Sequence, residues 1–400
     1  MIVTSIALTN FRNYKRLNLE VGPSVNVFYG ANAQGKTNII EGIYLCACAK
    51  SHRTTKDKEL LLHGEHEYKV RLSLSASYSS YDESVSVEYL DENSSLNTTQ
   101  RPKTIVCHDD VPFARSADYL GIFNAVIFAP EDLSLIKEGP SVRRRFLNVL
   151  ISQVNSGYFH ELYQYNRLLM SRNQVIKVSK SAGEKVPSSS TKEKMSFWDE
   201  ALAKSAARII LIRYIFSLRL ENAAKCHHER ISGGVETLYL RYKSVVPVSL
   251  LEGKNMTSST EDIEKFLLEK YAANAEDDYF KGSTSVGPQR DDLLMSLDGE
   301  GLRMFASQGQ QRSAALSLKL AELDIMREET NDTPILLLDD VFSELDATRR
   351  ACLLSSTKNA QVFITCTDKS FIEKELAMSQ NGTEDIVFFS VSDGKVTRDS

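Results

Sequence analysis

A glycine-rich stretch that ends in a basic and a hydroxyl residue is the clearest chemical feature of the sequence. Residues 30–37 fit the spacing GxxxxGK followed by Ser or Thr. Such a loop turns at its glycines and exposes backbone N–H groups, which bind phosphate oxygens at the start of a helix. It predicts ATP binding, with Lys36 at the β- and γ-phosphates and Thr37 as a Mg²⁺ ligand. The predicted nucleotide-binding residues are Gly30, Ala31, Asn32, Ala33, Gln34, Gly35, Lys36, Thr37 and Asn38.

Two adjacent carboxylates follow an apolar run about 300 residues downstream. Ile335–Leu338 has the pattern of a buried strand, and Asp339 and Asp340 come directly after it. Phosphoryl transfer needs one acid near the metal and another that orients or activates the attacking water. Alone, the pair is typical of a polar turn after a core strand. Together with the phosphate-binding loop, it indicates that both acids take part in this chemistry.

A third stretch, Ser307-Gln-Gly-Gln-Gln-Arg312, precedes a helical pattern over residues 313–328. Serine is a favourable N-cap, and the N-terminus of a helix attracts anions. The stretch is therefore either a helix cap and nothing more or a second phosphate-facing element.

The elements around these motifs alternate between strand and helix patterns. Residues 25–30 form a predicted strand before the loop, and residues 38–50 a predicted helix after it. The remaining predictions are antiparallel strands within 66–90, a polar loop over Asp91–Thr99, a strand at Asn124–Phe128, a helix at Ser141–Lys177, a flexible linker or loop tip at Ser179–Thr191, a helix at Lys192–Arg230, a helix at 261–275, a helix at Ser307–Glu329 and a strand at Gln361–Thr365.

Charge is distributed unevenly along the 400 residues. The whole chain carries a net charge of −5, yet residues 167–230 contain thirteen Lys and Arg against six Asp and Glu. This excess indicates either an arm that faces a polyanion or a solvated helix surface without a partner. Trp198, the only tryptophan, is predicted as a core anchor of this arm.

Other features narrow the class of protein. The six cysteines are scattered, which favours reduced thiols in a cytoplasmic protein over a disulfide framework. The neighbours Cys226, His227 and His228 lack the second nearby pair that a zinc site needs. The best apolar stretch, Ala206–Leu220, contains three arginines, so no membrane partner is expected.

The three motifs, in this order, resemble the ABC-type ATPase head with its Walker A, signature and Walker B motifs. The resemblance implies that Asp339 is the Mg²⁺-associated acid and that Asp340 stands where the superfamily usually has its catalytic glutamate. It makes Asp340 and Lys36 the catalytic residues and adds Ser307, Gly309 and Gln310 to the ATP site. Ser343–Asp346 resembles the D-loop. The long separation of Walker A from Walker B resembles the SMC-like branch.

Within that branch the sequence is similar to the RecF family of bacterial recombination-repair ATPases. The similarity rests on the stretches LTNFRNY, GANAQGKTN, KSHR, FAPEDL, RRRFL, GPQRDDL, SQGQQR and LLLDDVFSELD. By position, Glu131 and Asp132 resemble the Q-loop that senses the γ-phosphate, and Thr365 and Thr367 occupy the place of the switch histidine. Two residues depart from the family pattern: Gln289 replaces the usual histidine, and Cys366 interrupts a threonine-like run.

The sequence therefore predicts an α/β, two-lobed ABC-type ATPase head, with a mixed sheet and a helical insertion lobe. The ATP-binding lobe is predicted at 1–135 and 285–400, and the mainly helical lobe with a short arm at 136–284. The resemblance implies ATP-dependent dimerisation on DNA at single-strand gaps, help to RecO and RecR in loading the RecA recombinase, and slow DNA-stimulated ATP hydrolysis. One alternative is an ATP-driven assembly switch that recruits protein partners without binding DNA. An SMC-like nuclease is disfavoured because no separate acidic cluster is evident.

Overall fold

The chain divides into two units that alternate along the sequence. The computed structural model describes residues 1–75, 82–99, 101–113, 119–252, 256–378 and 386–399. The first unit comprises Met1–Leu133, Cys226–Val235 and Arg312–Ser400, and the second comprises Ser134–Lys225 and Glu236–Gln311. The helices α5 and α9, defined below, each contribute residues to both units.

Strands and helices alternate as follows. The strands are β1 (Ile2–Phe11), β2 (Tyr14–Glu20), β3 (Val25–Tyr29), β4 (Glu67–Ser75), β5 (Glu83–Leu90), β6 (Lys103–His108), β7 (Val111–Pro112), β8 (Ala125–Phe128), β9 (Leu238–Lys243), β10 (Asp292–Leu297), β11 (Glu300–Gly301), β12 (Ile335–Asp339), β13 (Val362–Cys366), β14 (Ile386–Ser392) and β15 (Lys395–Arg398). The helices are α1 (Lys36–Cys48), α2 (Ser134–Lys137), α3 (Pro140–Val154), α4 (Ser156–Ser181), α5 (Ser189–Ser232), α6 (Val248–Leu251), α7 (Met256–Lys281), α8 (Leu302–Phe305), α9 (Gln308–Thr330), α10 (Ala347–Ser356) and α11 (Lys369–Met378).

The first unit contains a mixed six-stranded sheet in the order β15-β14-β3-β13-β12-β8. All neighbours pair in parallel except β14 and β15. The strands β8, β12 and β13 are buried along their whole length, which is why they read as continuous apolar runs. Because parallel strands end at one edge, the residues after β3, β12 and β13 are brought together there.

An antiparallel sheet in the order β2-β1-β4-β5-β6-β7 completes the first unit. The helix α1 packs against β4 and β5 of this sheet and against β8, β12 and β13 of the other. Its residues Ile39, Ile40 and Ile43 are fully buried. The antiparallel strands predicted within 66–90 are confirmed as β4 and β5, whose connection lies outside the described residues.

In the second unit, the prediction of one continuous helix over Ser141–Lys177 is wrong. The chain forms α3 and α4, which are separated at Asn155. Asn155 has extended backbone angles, and its side chain accepts a hydrogen bond from the Tyr158 N–H. Asn155 therefore acts as an N-cap and begins a new helix.

The stretch Ser179–Thr191 is a tip between two helices, as one of its two predicted alternatives has it, and its ends are helical. The helix α4 continues to Ser181 and α5 begins at Ser189. Between them, Glu184 accepts hydrogen bonds from Thr191 and Ser188, and the Tyr279 hydroxyl donates to the Glu184 carbonyl at 2.6 Å. These bonds give the serine-rich turn a defined conformation.

The boundaries of the two units differ from the predicted lobes in two places. Residues 285–311 lie in the second unit because β10 pairs with β9 along its full length. Residues 226–235 lie in the first unit, where His227 pairs with Asp324 at 2.6 Å and His228 contacts Ser317. None of the helices in the described ranges combines the length and apolar composition that a bilayer crossing needs.

Candidate nucleotide site

The loop between β3 and α1 has a backbone conformation that depends on its two glycines. Gly30 and Gly35 have φ angles of +148° and +109°. A Cβ on Gly30 would lie 2.3 Å from the Val391 carbonyl oxygen, and one on Gly35 would lie 2.7 Å from the Tyr14 hydroxyl. The loop is thus confined between β14 and β2, and only glycine fits either position.

Lys36 lies at the start of α1 with its ammonium group turned back onto the loop. Its Nζ donates to the carbonyls of Gly30 at 2.7 Å and Ala31 at 2.8 Å. Burial lowers the pKa of Lys36, while the charges of Asp340 and Asp339 oppose that change. The cation therefore lies beside both acids, within a loop whose residues 31–33 are exposed.

The hydroxyl of Thr37 and the carboxylate of Asp339 meet at 2.8 Å, although 302 residues separate them. A hydroxyl and a carboxylate are hard oxygen ligands, and this donor set suits Mg²⁺. Burial raises the pKa of Asp339, against hydrogen bonds from Thr365 and Thr37 that lower it. The pair fits the predicted metal site.

Asp340 has a left-handed backbone with φ 50° and ψ 24°. Its N–H donates to the Thr365 hydroxyl at 2.9 Å, and its carbonyl accepts from the Ser343 hydroxyl at 2.8 Å. Aspartate tolerates this conformation better than most residues. Burial raises the pKa of the nearby Cys366 thiol to about 12, although the Lys36 charge opposes this change. Cys366 therefore borders the site as a neutral thiol.

A buried carboxylate beneath the loop was missed by reasoning from the sequence. Glu41 in α1 is fully buried and accepts two hydrogen bonds from the Arg12 guanidinium, at 2.7 and 2.8 Å. Ser51 donates to it at 2.5 Å, and Arg53 lies 3.4 Å away. Burial would raise the pKa of Glu41, but the hydrogen bonds from Arg12 and Ser51 hold it below its usual value. The FRNY and KSHR stretches therefore converge on the helix that carries Lys36.

The two predicted Q-loop acids have different surroundings. Glu131 is exposed, and its charge raises the pKa of Asp339. Asp132 instead lies near Lys319 and Glu322, a buried ion pair in α9. Burial raises the pKa of the Asp132 carboxyl to about 6, with the Lys319 charge opposing. Of these two acids, Glu131 is the one whose charge acts on Asp339, and the Q-loop role of both stays a prediction.

The predicted signature residues form a capped helix start in the second unit. The Ser307 hydroxyl accepts from the Gln310 N–H at 3.3 Å, and the Gln310 side chain accepts from the Ser307 N–H at 2.7 Å. This reciprocal pair is a capping box. Ser307 is exposed, while Gln310 also donates to Glu236 at 2.7 Å.

Comparisons with known proteins identify the family. The sequence model of the RecF/RecN/SMC N-terminal domain matches residues 2–384. The DNA replication and repair protein RecF of Ruminiclostridium cellulolyticum is 36% identical over 396 residues, which is 99% of each chain. The chain belongs to the RecF family. A solved structure of the recombination mediator protein RecF with ATP, in the RecFOR pathway, superposes with a TM-score of 0.83 at 34% identity and covers 100% of this chain and 98% of that one. An SMC head domain from Pyrococcus furiosus, at 14% identity and a TM-score of 0.51, shares the fold alone.

The predicted RecF resemblance and the ABC-type ATPase fold are therefore confirmed. Two of the RecF-like stretches meet inside the second unit. The Arg143 guanidinium binds both carboxylate oxygens of Asp292, at 2.7 and 2.9 Å, and Arg144 donates to the Asp291 carbonyl. Gln289 accepts a short hydrogen bond from Tyr165 and donates to the Val286 carbonyl at 2.8 Å. In this RecF-family chain, the departure at Gln289 thus falls at a half-buried position that bonds to the buried Tyr165.

The basic arm of this RecF-family chain is less positive at its surface than its composition indicates. Arg172 and Arg213 are buried and pair with Asp278 and Asp291, which lie outside the arm sequence. Two more basic residues pair with acids outside it: Arg208 with Glu161 and Lys192 with Glu276. Trp198 is not the predicted core anchor, because it is partly exposed.

Proposed function

We propose that this chain is an ATP-dependent DNA-binding protein of recombination repair and replication-fork maintenance that acts in the cytoplasm. It binds ATP with Mg²⁺, dimerises on DNA at single-strand gaps, and assists RecO and RecR in loading the RecA recombinase. The observation that carries the proposal is the convergence of Lys36, Thr37 and Asp339 at one sheet edge, in a chain similar to RecF over its full length.

Each residue of the site has a role that its position supports. The N–H groups of the loop and the Lys36 ammonium would hold the phosphates, and Thr37 and Asp339 would hold Mg²⁺, which neutralises phosphate charge when bound. Asp340, next along the chain, would orient or deprotonate the attacking water. Aspartate is shorter than glutamate, which is consistent with slow hydrolysis that serves as a switch.

The exposed serine of the capping box supports a shared site. Ser307 is exposed at the N-terminus of α9, where the capping box holds the start of the helix in one conformation, and helix N-termini attract anions. We infer that Ser307, Gly309 and Gln310 contact the γ-phosphate bound to a second copy, which makes ATP the link in a two-fold homodimer.

Nucleotide binding is tested by calorimetry with ATP and Mg²⁺. Lys36→Ala should abolish measurable binding because the loop loses its only ammonium group, whereas the exposed Lys58→Ala should bind as the parent chain does. Equal affinity in Lys36→Ala and the parent would contradict the proposed ATP site.

DNA binding separates this proposal from an assembly switch that recruits proteins only. The pairing of Arg172, Arg208, Arg213 and Lys192 with acids favours the switch. Fluorescence anisotropy of a gapped duplex, with ATP and a salt series, decides between them. If the arm binds DNA phosphates, the affinity for DNA falls steeply as the salt concentration rises. The double variant Lys185→Glu and Lys204→Glu should reduce the slope of log affinity against log salt concentration by about 2. Salt-independent or absent DNA binding supports the switch.

A further inference from the structure

An open groove of about 570 Å³ lies between α4 and α5 on the second unit. Met170, Val175, Val178 and Trp198 give it an apolar lining, and Lys194 stands at its edge. The side chains of Met170 and Val178 are 64% and 57% exposed. Large apolar side chains grouped on a helix surface are typical of an interaction site.

Phe197 extends the apolar surface beside the groove. It is 75% exposed, and its ring contacts Trp198 edge-to-face with centroids 5.1 Å apart. Trp198 is therefore supported on one side and open toward the groove. Aromatic anchors of this kind contribute much of the free energy of binding at protein interfaces.

The rim of the groove is basic. Residues 162–181 of α4 contain no acidic residue, and Arg172 among them is buried, so the basic residues beside the groove are Arg167 and Lys177. Arg167 and Lys177 are exposed and lie at helical spacings from Met170 and Gln174, on the groove side of α4. Among the described residues, neither Lys177 nor Lys194 has an acidic partner within ion-pair distance, although a hydrogen bond from Thr191 and the nearby Lys194 charge lower the pKa of Glu184. The surface is thus apolar in the middle and positive at the edge.

We propose that this groove binds an acidic amphipathic helix of a partner protein. From Met170 to Val178 the groove follows α4 for about 12 Å, enough for apolar side chains at i, i+3 or i+4, and i+7 of a bound helix. Glutamates beside those anchors would meet Lys177 and Lys194. A nucleic acid fits less well, because among the described residues that line the groove Trp198 alone is aromatic, and Met170, Val175 and Val178 offer no face on which a base could stack.

The single tryptophan provides a label-free test on the full chain. The probe is a synthetic helix of about 18 residues with leucines at i, i+3, i+4 and i+7, glutamates elsewhere and no aromatic residue. It should shift the Trp198 emission saturably, and calorimetry should give the same affinity. A shuffled peptide of the same composition and a version with lysines for glutamates should bind at least tenfold more weakly.

Two matched variants locate the site. Val178→Glu places a charge in the groove and should weaken the acidic peptide at least tenfold. Val248→Glu, at a similarly exposed valine in α6, should leave affinity unchanged within twofold. Lys194→Glu should weaken the acidic peptide and strengthen the lysine version. Thermal unfolding of each variant confirms that it is folded.

The outcomes are separable from those of the nucleotide site, because peptide binding requires no ATP and should persist in Lys36→Ala. The absence of a saturable signal, or equal binding of acidic and lysine peptides, overturns the proposal. A single-stranded oligothymidine that shifts Trp198 emission, together with a silent acidic peptide, assigns the groove to nucleic acid instead.

Discussion

The hydroxyl of Thr365 donates to the Asp339 carboxylate at 2.6 Å and accepts the N–H of Asp340 at 2.9 Å. One side chain near the end of β13 therefore positions both Asp339, the last residue of β12, and Asp340 directly after it. Thr365 is predicted, with Thr367, to occupy the place of the switch histidine of ABC-type transporters. In the structure its hydroxyl bonds to the two acids that are predicted as the Walker B pair.

Thr365→Val removes this hydroxyl at nearly constant volume. The Asp340 N–H loses its partner and Asp339 loses a donor, so stability should fall by about 1–2 kcal/mol. Affinity for ATP with Mg²⁺ should fall several-fold more than affinity for ATP in EDTA, as measured by calorimetry. Thr365→Ser should restore both. Equal losses with and without Mg²⁺ would show that Thr365 does not act through the metal acid.

Asp340→Asn tests hydrolysis separately from binding. Asparagine adopts the left-handed backbone as readily as aspartate, so the turn should be preserved. Loss of the carboxylate should slow ATP turnover by about 10²–10⁴ while calorimetric affinity is retained, and the ATP-dependent dimer should last longer on DNA. Turnover at the parent rate would remove Asp340 from the catalytic step.

Glu41→Gln breaks the buried contact with Arg12 and Arg53. Leaving two guanidinium groups without their carboxylate should lower the free energy of unfolding by about 2–4 kcal/mol in denaturant titrations. Because the pKa of Glu41 is lowered in the folded chain, its stabilisation is complete above its unfolded pKa and disappears as pH falls through the folded pKa. The difference between variant and parent should therefore shrink in acid. Glu20→Gln, at an exposed acid in β2, should have little effect.

Asp132→Asn should act in the opposite direction. The pKa of Asp132 is raised to about 6, so the folded chain holds a proton that the unfolded chain releases near pH 4, and stability falls as pH rises between these values. Removing the ionisable group should stabilise the chain by about 1–2 kcal/mol at pH 7.5 and by almost nothing at pH 4. The exposed Asp82→Asn is the control. A destabilised variant at pH 7.5 would mean that the Asp132 charge is needed by Lys319.

Mixing two defective chains tests whether the ATP site is shared. Lys36→Ala and Ser307→Asp chains should each fail to dimerise with ATP in light scattering. Ser307→Asp keeps a good N-cap but places a negative charge where a phosphate would bind. About half of randomly formed pairs are heterodimers, each with one intact site, so the mixture should recover part of the dimerisation. A mixture that equals the sum of its parts would place Ser307 outside a shared site.

The residues at the nucleotide-binding edge of the mixed sheet could be predicted from the sequence because the patterns that identify them are local. Continuous apolar runs indicate buried parallel strands, and the spacing of Gly30, Gly35 and Lys36 indicates the loop. Glu41 was missed because an acid within an apolar helix has no distinctive spacing, and its partner Arg12 lies 29 residues away. The surface charge of the arm was overestimated because Arg172 is neutralised by Asp278, which lies 106 residues downstream. Only the break at Asn155 carried a usable local signal, an N-cap residue in mid-pattern.

Because β3 lies between β13 and β14, the sheet that supports the phosphate-binding loop can form only after these late strands have been synthesised. The loop at residues 30–37 is made early, but the strands that flank β3 and the Val391 carbonyl that confines Gly30 come more than 300 residues later. The antiparallel strands β1, β2, β4 and β5 can pair as soon as they are made. A nascent chain therefore carries the whole phosphate-binding motif for most of its translation without a place to hold a nucleotide. A fragment that stops before β14 keeps Lys36, Thr37 and Asp339 but leaves Gly30 without the Val391 carbonyl that confines it, so we expect it to bind ATP more weakly than the full chain.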